Sequence, residues 1–200
     1  MNPNLTTIAA WSYGLAGFGS LAFAVYLAIT WRGGLRGLAL LAAVSLTAAW
    51  AILDLAFALT QAPVLTALGA AVDVLRIGGW YAFLLVLIEQ RPPAGTAAGE
   101  PRRATWLLPL AAALVALGMF AQVSLDVGFT AFGDPGRLAV FDRLAMSIFG
   151  LVLLEHLFRN VSEDARWSLK PLCLGLAAAF LFDLYLFAEA LLFNRLDPNA

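Results

Sequence analysis

An all-α polytopic membrane fold, a six-transmembrane-helix bundle with both termini outside, is the class this chain predicts, on three observations. The chain is 62% hydrophobic and only 12% charged, with a mean hydropathy of +0.86, which leaves too little polar surface to wrap a water-soluble core of 200 residues. Its apolar residues fall into six stretches, each long enough to cross a hydrocarbon core of roughly 30 Å as a helix. Its 12 Lys and Arg residues fall mostly in alternate gaps between those stretches, as they do when short basic loops stay in the cytoplasm.

The first stretch, residues 5–30, has no basic flank before it and no clear small-residue cleavage site after it, so it is expected to be a retained span and not a signal peptide. Spans at 35–60 and 64–88 follow, joined by a short turn around Gln61 and Pro63. Residues 89–104 read EQRPPAGTAAGEPRRA. Paired prolines, glycines and mixed charge without apolar periodicity predict a flexible cytoplasmic linker that divides the bundle three plus three. The remaining spans are expected at 105–123, 138–157 and 172–193. Between the fourth and fifth, Ser124 to Arg137 is the outer loop with the length and aromatic content to cover a pocket, and its Asp134-Pro135-Gly136 is a turn signal.

Charge orients the bundle. Arg32 and Arg36 lie in the first gap, Arg91, Arg102 and Arg103 in the third, and Arg159, Arg166 and Lys170 in the fifth. The opposite side carries only Arg137 and, in the tail, Arg195. The first, third and fifth loops are therefore expected inside, with Trp31, Trp106 and Trp167 at the inner interface. Gly14, Gly17, Gly19, Gly78, Gly79, Gly150 and Gly175 are placed to allow close helix approach.

Several function classes drop out. The basic residues are dispersed in short loops, so no groove for nucleic acid can be assembled. Cys173 is the sole cysteine and permits no intrachain disulfide. His156, the sole histidine, falls in no metal-ligand spacing; beside it Glu155 and Arg159 are spaced to pair on one helix face. There is no phosphate loop, dinucleotide fingerprint, nucleophile elbow or zincin helix, and hence no catalytic residue to name.

The informative chemistry is charge inside the spans, because an Asp, Arg or Lys at the centre of a spanning helix costs at least roughly 2.5 to 3.5 kcal/mol. Asp54, Asp73, Arg76, Asp142, Arg143, Asp183 and Glu189 all fall in the expected outer half. Asp73 and Arg76, three apart, can pair on one face, which leaves Arg143 to meet Asp183 or Asp54. Five carboxylates against two guanidinia leave at least one acid under-compensated, a candidate proton-responsive or cation-binding group. Asp54, Asp73, Arg76, Arg143, Asp183 and Glu189 form the candidate sensing cluster, with Arg76 and Asp183 the deepest.

From Glu155 onward the chain carries Arg159-Asn160, Arg166-Trp167, Lys170, Leu172-Cys173, Gly175, Asp183, Tyr185, Leu191-Leu192, Arg195 and Asp197. In about a fifth of its length it resembles the membrane region of the PEP-CTERM-system histidine kinases of the PrsK type. It departs from the family pattern at Ala177, where a second glycine is expected, and at Phe182, where a tyrosine is expected. The resemblance implies the amino-terminal sensor region of a bacterial inner-membrane, multi-pass two-component histidine kinase governing exopolysaccharide and PEP-CTERM protein expression. It further implies a homodimer formed through the full-length kinase, a response regulator as partner, and ATP and magnesium as cofactors of kinase domains that lie outside these 200 residues. Two other classes compete. Intramembrane charge also suits a small transporter or channel, although no repeat relates the halves. An intramembrane enzyme would need a pair such as Asp73 and Asp183 as acid and base, with no flanking signature to support it.

Overall fold

The computed structural model describes residues 3–31, 33–89, 106–129, 134–160 and 163–193. Among them every regular element is an α-helix: α1 (Pro3–Thr30), α2 (Leu35–Thr60), α3 (Pro63–Glu89), α4 (Leu107–Val127), α5 (Pro135–Asn160) and α6 (Glu163–Leu192). The 90–104 part of the linker, Arg32, Arg91, Arg102, Arg103, Arg195 and Asp197 lie outside the described residues.

Five helices carry segments long and apolar enough to cross a membrane: Thr7–Thr30, Leu35–Thr60, Pro63–Glu89, Leu107–Val127 and Leu169–Leu192. That marks a multi-pass membrane protein. Outward-facing apolar side chains agree, since Ile8, Trp11, Leu15 and Phe18 on α1 recur at helical spacing and are all exposed, a stripe that lipid solvates and water does not. The remaining helix differs: α5 has 26 residues, about 39 Å at 1.5 Å per residue, but Arg137, Asp142, Arg143, Glu155 and Arg159 break up its apolar run.

Helix ends follow local chemistry. Gln61 adopts the left-handed conformation at φ 55° and closes α2, its backbone N–H donating to the Phe57 carbonyl at 2.8 Å and its side-chain amide to the Phe57 and Ala58 carbonyls at 3.2 Å each. Pro63 then opens α3, where its missing N–H leaves nothing unsatisfied. Gly128, at φ 71°, caps α4 with Phe129 N–H bonded back to the Ser124 carbonyl at 2.9 Å. α4 thus runs four residues past its expected end at 123.

One expectation is located and another corrected. The turn signal at Asp134-Pro135-Gly136 is realised where α5 starts, and only its place at a helix start is new: the Asp134 carboxylate accepts the Gly136 N–H at 3.0 Å and Pro135 takes the first helical position. The fifth loop, expected to reach Leu172, shrinks because α6 begins at Glu163 and continues through Pro171. Polar residues end an apolar stretch without ending a helix, since Arg and Lys are good helix formers and their charge bears only on what lipid accepts.

The chain divides into two compact units, Met1–Phe83 and Leu84–Ala200, with the boundary inside α3. In the first, α1 packs on α2, Gly17 meeting Ala51 and Ile52, and α2 packs on the first part of α3. There Gly79 brings the two backbones close: a Cβ on it would stand 3.2 Å from the Ala43 Cα. In the second unit α5 packs against both α4 and α6. Gly150 accepts the ring of Phe180 so closely that a Cβ would lie 2.7 Å from it. Gly14, Gly19 and Gly175, expected at close approaches, have nothing within 4 Å of a built Cβ.

Candidate functional site: a polar seam between α2 and α3

On α2, residues Ala43, Thr47, Trp50 and Asp54 fall at intervals of four, three and four; on α3, Gly69, Asp73, Arg76 and Trp80 repeat the same intervals. Such spacing puts each set on one helix face. The antiparallel helices bring the two faces together as a ladder. Gly79 lies against Ala43, and Trp80 Nε1 donates to Thr47 Oγ1 at 3.2 Å. The Arg76 guanidinium sits 4.5 Å from the centroid of the Trp50 ring. At the Gln61 end, a Cβ on Gly69 would stand 2.7 Å from Asp54 Oδ1, so the carboxylate occupies room that only glycine provides.

Arg76 is the centre of this seam. Its Nε and Nη2 reach Asp73 Oδ1 at 2.8 and 2.6 Å, and both side chains are largely buried. A guanidinium is weakly hydrated and planar, so it satisfies a carboxylate at its edge while stacking its face on an indole. α1 contributes Tyr13, whose ring meets Trp50 edge-on at 5.7 Å and 84°. Three helices therefore meet through one chain of contacts from Tyr13 through Trp50 and Arg76 to Asp73. Beyond Trp80 the same seam borders a cavity of about 220 Å³ lined by Gly19, Ser20, Phe23, Val44, Thr47 and Trp80.

Chemically the seam holds a cation in contact with the Asp73 carboxylate, with a second acid, Asp54, farther along toward the Gln61 end. The ion pair lies within α3, and the stack of Arg76 on Trp50 joins α3 to α2. Among the described residues no group of three or more His, Cys, Asp or Glu is placed to hold a metal.

The ionisable residues singled out by sequence divide between the units: Asp54, Asp73 and Arg76 belong to the first, and Arg143, Asp183 and Glu189 to the second. Arg143 is buried, while Asp183 and Glu189 on α6 are half-buried. Of the carboxy-terminal motif, Arg159 pairs with Glu155 at 3.2 Å on an exposed face, and Lys170 lies 5.1 Å from the exposed Trp167 ring; the side chains of Asn160 and Arg166 lie outside the described residues. Sequence reasoning missed Tyr13, Trp50 and Gly69. The signal for two of them was present, since Trp50 precedes Asp54 by four and Gly69 precedes Asp73 by four. Tyr13 had none, because its role arises only when α1 packs on α2. Compared with known proteins, the chain matches no family model, no curated protein and no solved structure.

Proposed function

We propose that this chain is the membrane-embedded receiving region of a signalling protein, with six crossings, both termini outside, and the α2–α3 seam as its switching element. The observation that carries this reading is Arg76, held between the Asp73 carboxylate and the Trp50 ring within a helix–helix contact. A cation held at a carboxylate and a ring across a helix contact can be paired or released, and a stimulus that discriminates between the two arrangements shifts their populations. Support for α5 as the sixth crossing comes from its faces: Asp142, Arg143 and Ser147 are buried, while Phe141, Ile148 and Val152 are exposed. The distribution of Arg and Lys supports the orientation.

The motif from Arg159 to Asp197 supplies the class of output. Through its likeness to the PEP-CTERM-system kinases, it favours a sensor in a bacterial inner membrane that acts through a dimeric histidine kinase and a response regulator. The test joins output to geometry. In the host, Arg76→Gln and Asp73→Asn are expected to alter the transcriptional response while membrane insertion is retained. Spin labels at the exposed positions Ser45 and Ala82, in a Cys173→Ser background, are expected to report a wider α2–α3 distance in both variants. Wild-type output together with wild-type distances would remove the reading, and solute flux through proteoliposomes lost in Arg76→Gln would put a transporter in its place.

A further inference from the structure

Asp142 lies on α5, about two turns, some 10 Å, from its first residue Pro135. It is 2% exposed, and both of its carboxyl oxygens are sealed from solvent without a hydrogen-bond partner. Neighbouring groups on the same helix give it no hydrogen bond. Arg143, adjacent in sequence, acts on it through its charge, but successive helix positions do not face each other and the guanidinium donates no bond to the carboxyl. Ser147 Oγ donates to the Arg143 carbonyl at 3.0 Å, so the proton of that buried hydroxyl is already placed.

The elements packed against α5 are α4 and α6. Phe180 opposite Gly150 sets the α5–α6 register, which brings Glu189 roughly level with Asp142 and places Tyr185 and Asp183 one to two turns deeper. α4 adds the exposed Asp126 near its end and the buried Ser124. The helices at this end thus carry further acids, and none of their groups donates to Asp142. An ionised carboxylate needs donors or a counter-charge in contact when it leaves water, whereas a carboxylic acid leaves only an ordinary polar group unsatisfied.

We propose that Asp142 is a proton-binding site of the second unit, its carboxyl held as the neutral acid while α4, α5 and α6 are packed as described. The ligand is the proton itself. Release requires that water or a donor reach the carboxyl, so deprotonation and separation of these helix ends are one event. The occupied state follows from the closed packing whether or not the chain belongs to a sensor, so failure of the α2–α3 switch leaves it standing.

Infrared spectroscopy of the full chain in bilayers tests it. At neutral pH the wild type should show a carbonyl stretch of a non-hydrogen-bonded carboxylic acid that moves when aspartate is ¹³C-labelled at its carboxyl and that vanishes in Asp142→Asn. In Asp142→Glu, which keeps an acid should the amide variant fail to insert, the band should persist but no longer respond to labelled aspartate. Raising the pH should remove the wild-type band and, in step with it, speed amide exchange in the first turns of α5. A neutral-pH spectrum without that band, or a band that still responds to labelled aspartate in Asp142→Glu, overturns the assignment.

Discussion

Gly69 and Asp54 show at the scale of single residues how a polar group is fitted between helices. The carboxylate fills the volume that a side chain at 69 would need. Gly69→Ala is therefore expected to destabilise the first unit by about 1–3 kcal/mol, the usual range for overpacking a filled contact. The check is reversible unfolding in detergent micelles, and Asp54→Ala in the same chain should recover most of the loss because it removes the atom that is struck. Gly150 presents the same situation in the second unit, with the Phe180 ring as the struck group. Gly150→Ala should cost a similar amount, about 1–3 kcal/mol, and Phe180→Leu should be less harmful when combined with Gly150→Ala than alone. Legibility at this scale followed distance along the chain. The Asp73–Arg76 pair could be read directly because a three-residue spacing is settled by helix geometry alone. The stacking of Arg76 on Trp50 joins residues of two helices, and no spacing within either one contains it.

Among elements, the caps and the inter-helix bonds set what each helix contributes. Asp134 accepts the Gly136 N–H and opens α5. Asp134→Ala should reduce stability by about 1 kcal/mol, as loss of an N-cap typically does, and should increase amide exchange at the start of α5 without changing α1–α3. The Trp80–Thr47 hydrogen bond joins α2 to α3. A double-mutant cycle of Trp80→Phe and Thr47→Val should give a coupling of about 0.6 kcal/mol, the average for such bonds inside membranes. Element lengths were legible where apolar stretches ended at turn chemistry, as at Gln61 and Pro63. They were misjudged at α6, where Arg166, Trp167 and Lys170 continue the helix beyond its apolar part. Hydropathy measures what lipid will accept, and a helix can extend past that limit into the headgroup region.

For the whole molecule, the decisive quantity is the number of crossings. Five helices satisfy length and apolarity together, and α5 adds length with buried charge. Reporter enzymes fused after Gln61, Gly95, Gly128 and Asn160 should report outside, inside, outside and inside in turn. Gly128 and Asn160 on the same side would take α5 out of the membrane; activity inverted at every position would reverse the orientation without changing the count. The alternation of basic gaps made this prediction available from the chain alone, because charge acts on insertion before helices have packed.

What the sequence determined by itself was the class: a helical, multi-pass membrane protein whose polar residues are few and therefore conspicuous. Length, apolarity and loop charge act segment by segment, so each can be read without knowing what a segment touches. What only the tertiary structure decided was which polar residues meet. Gly69 receiving Asp54, Trp50 receiving Arg76 and the enclosure of Asp142 depend on the rotation and register of one helix against another. Those are set by the sum of many small packing contacts, in which no single residue type announces its partner.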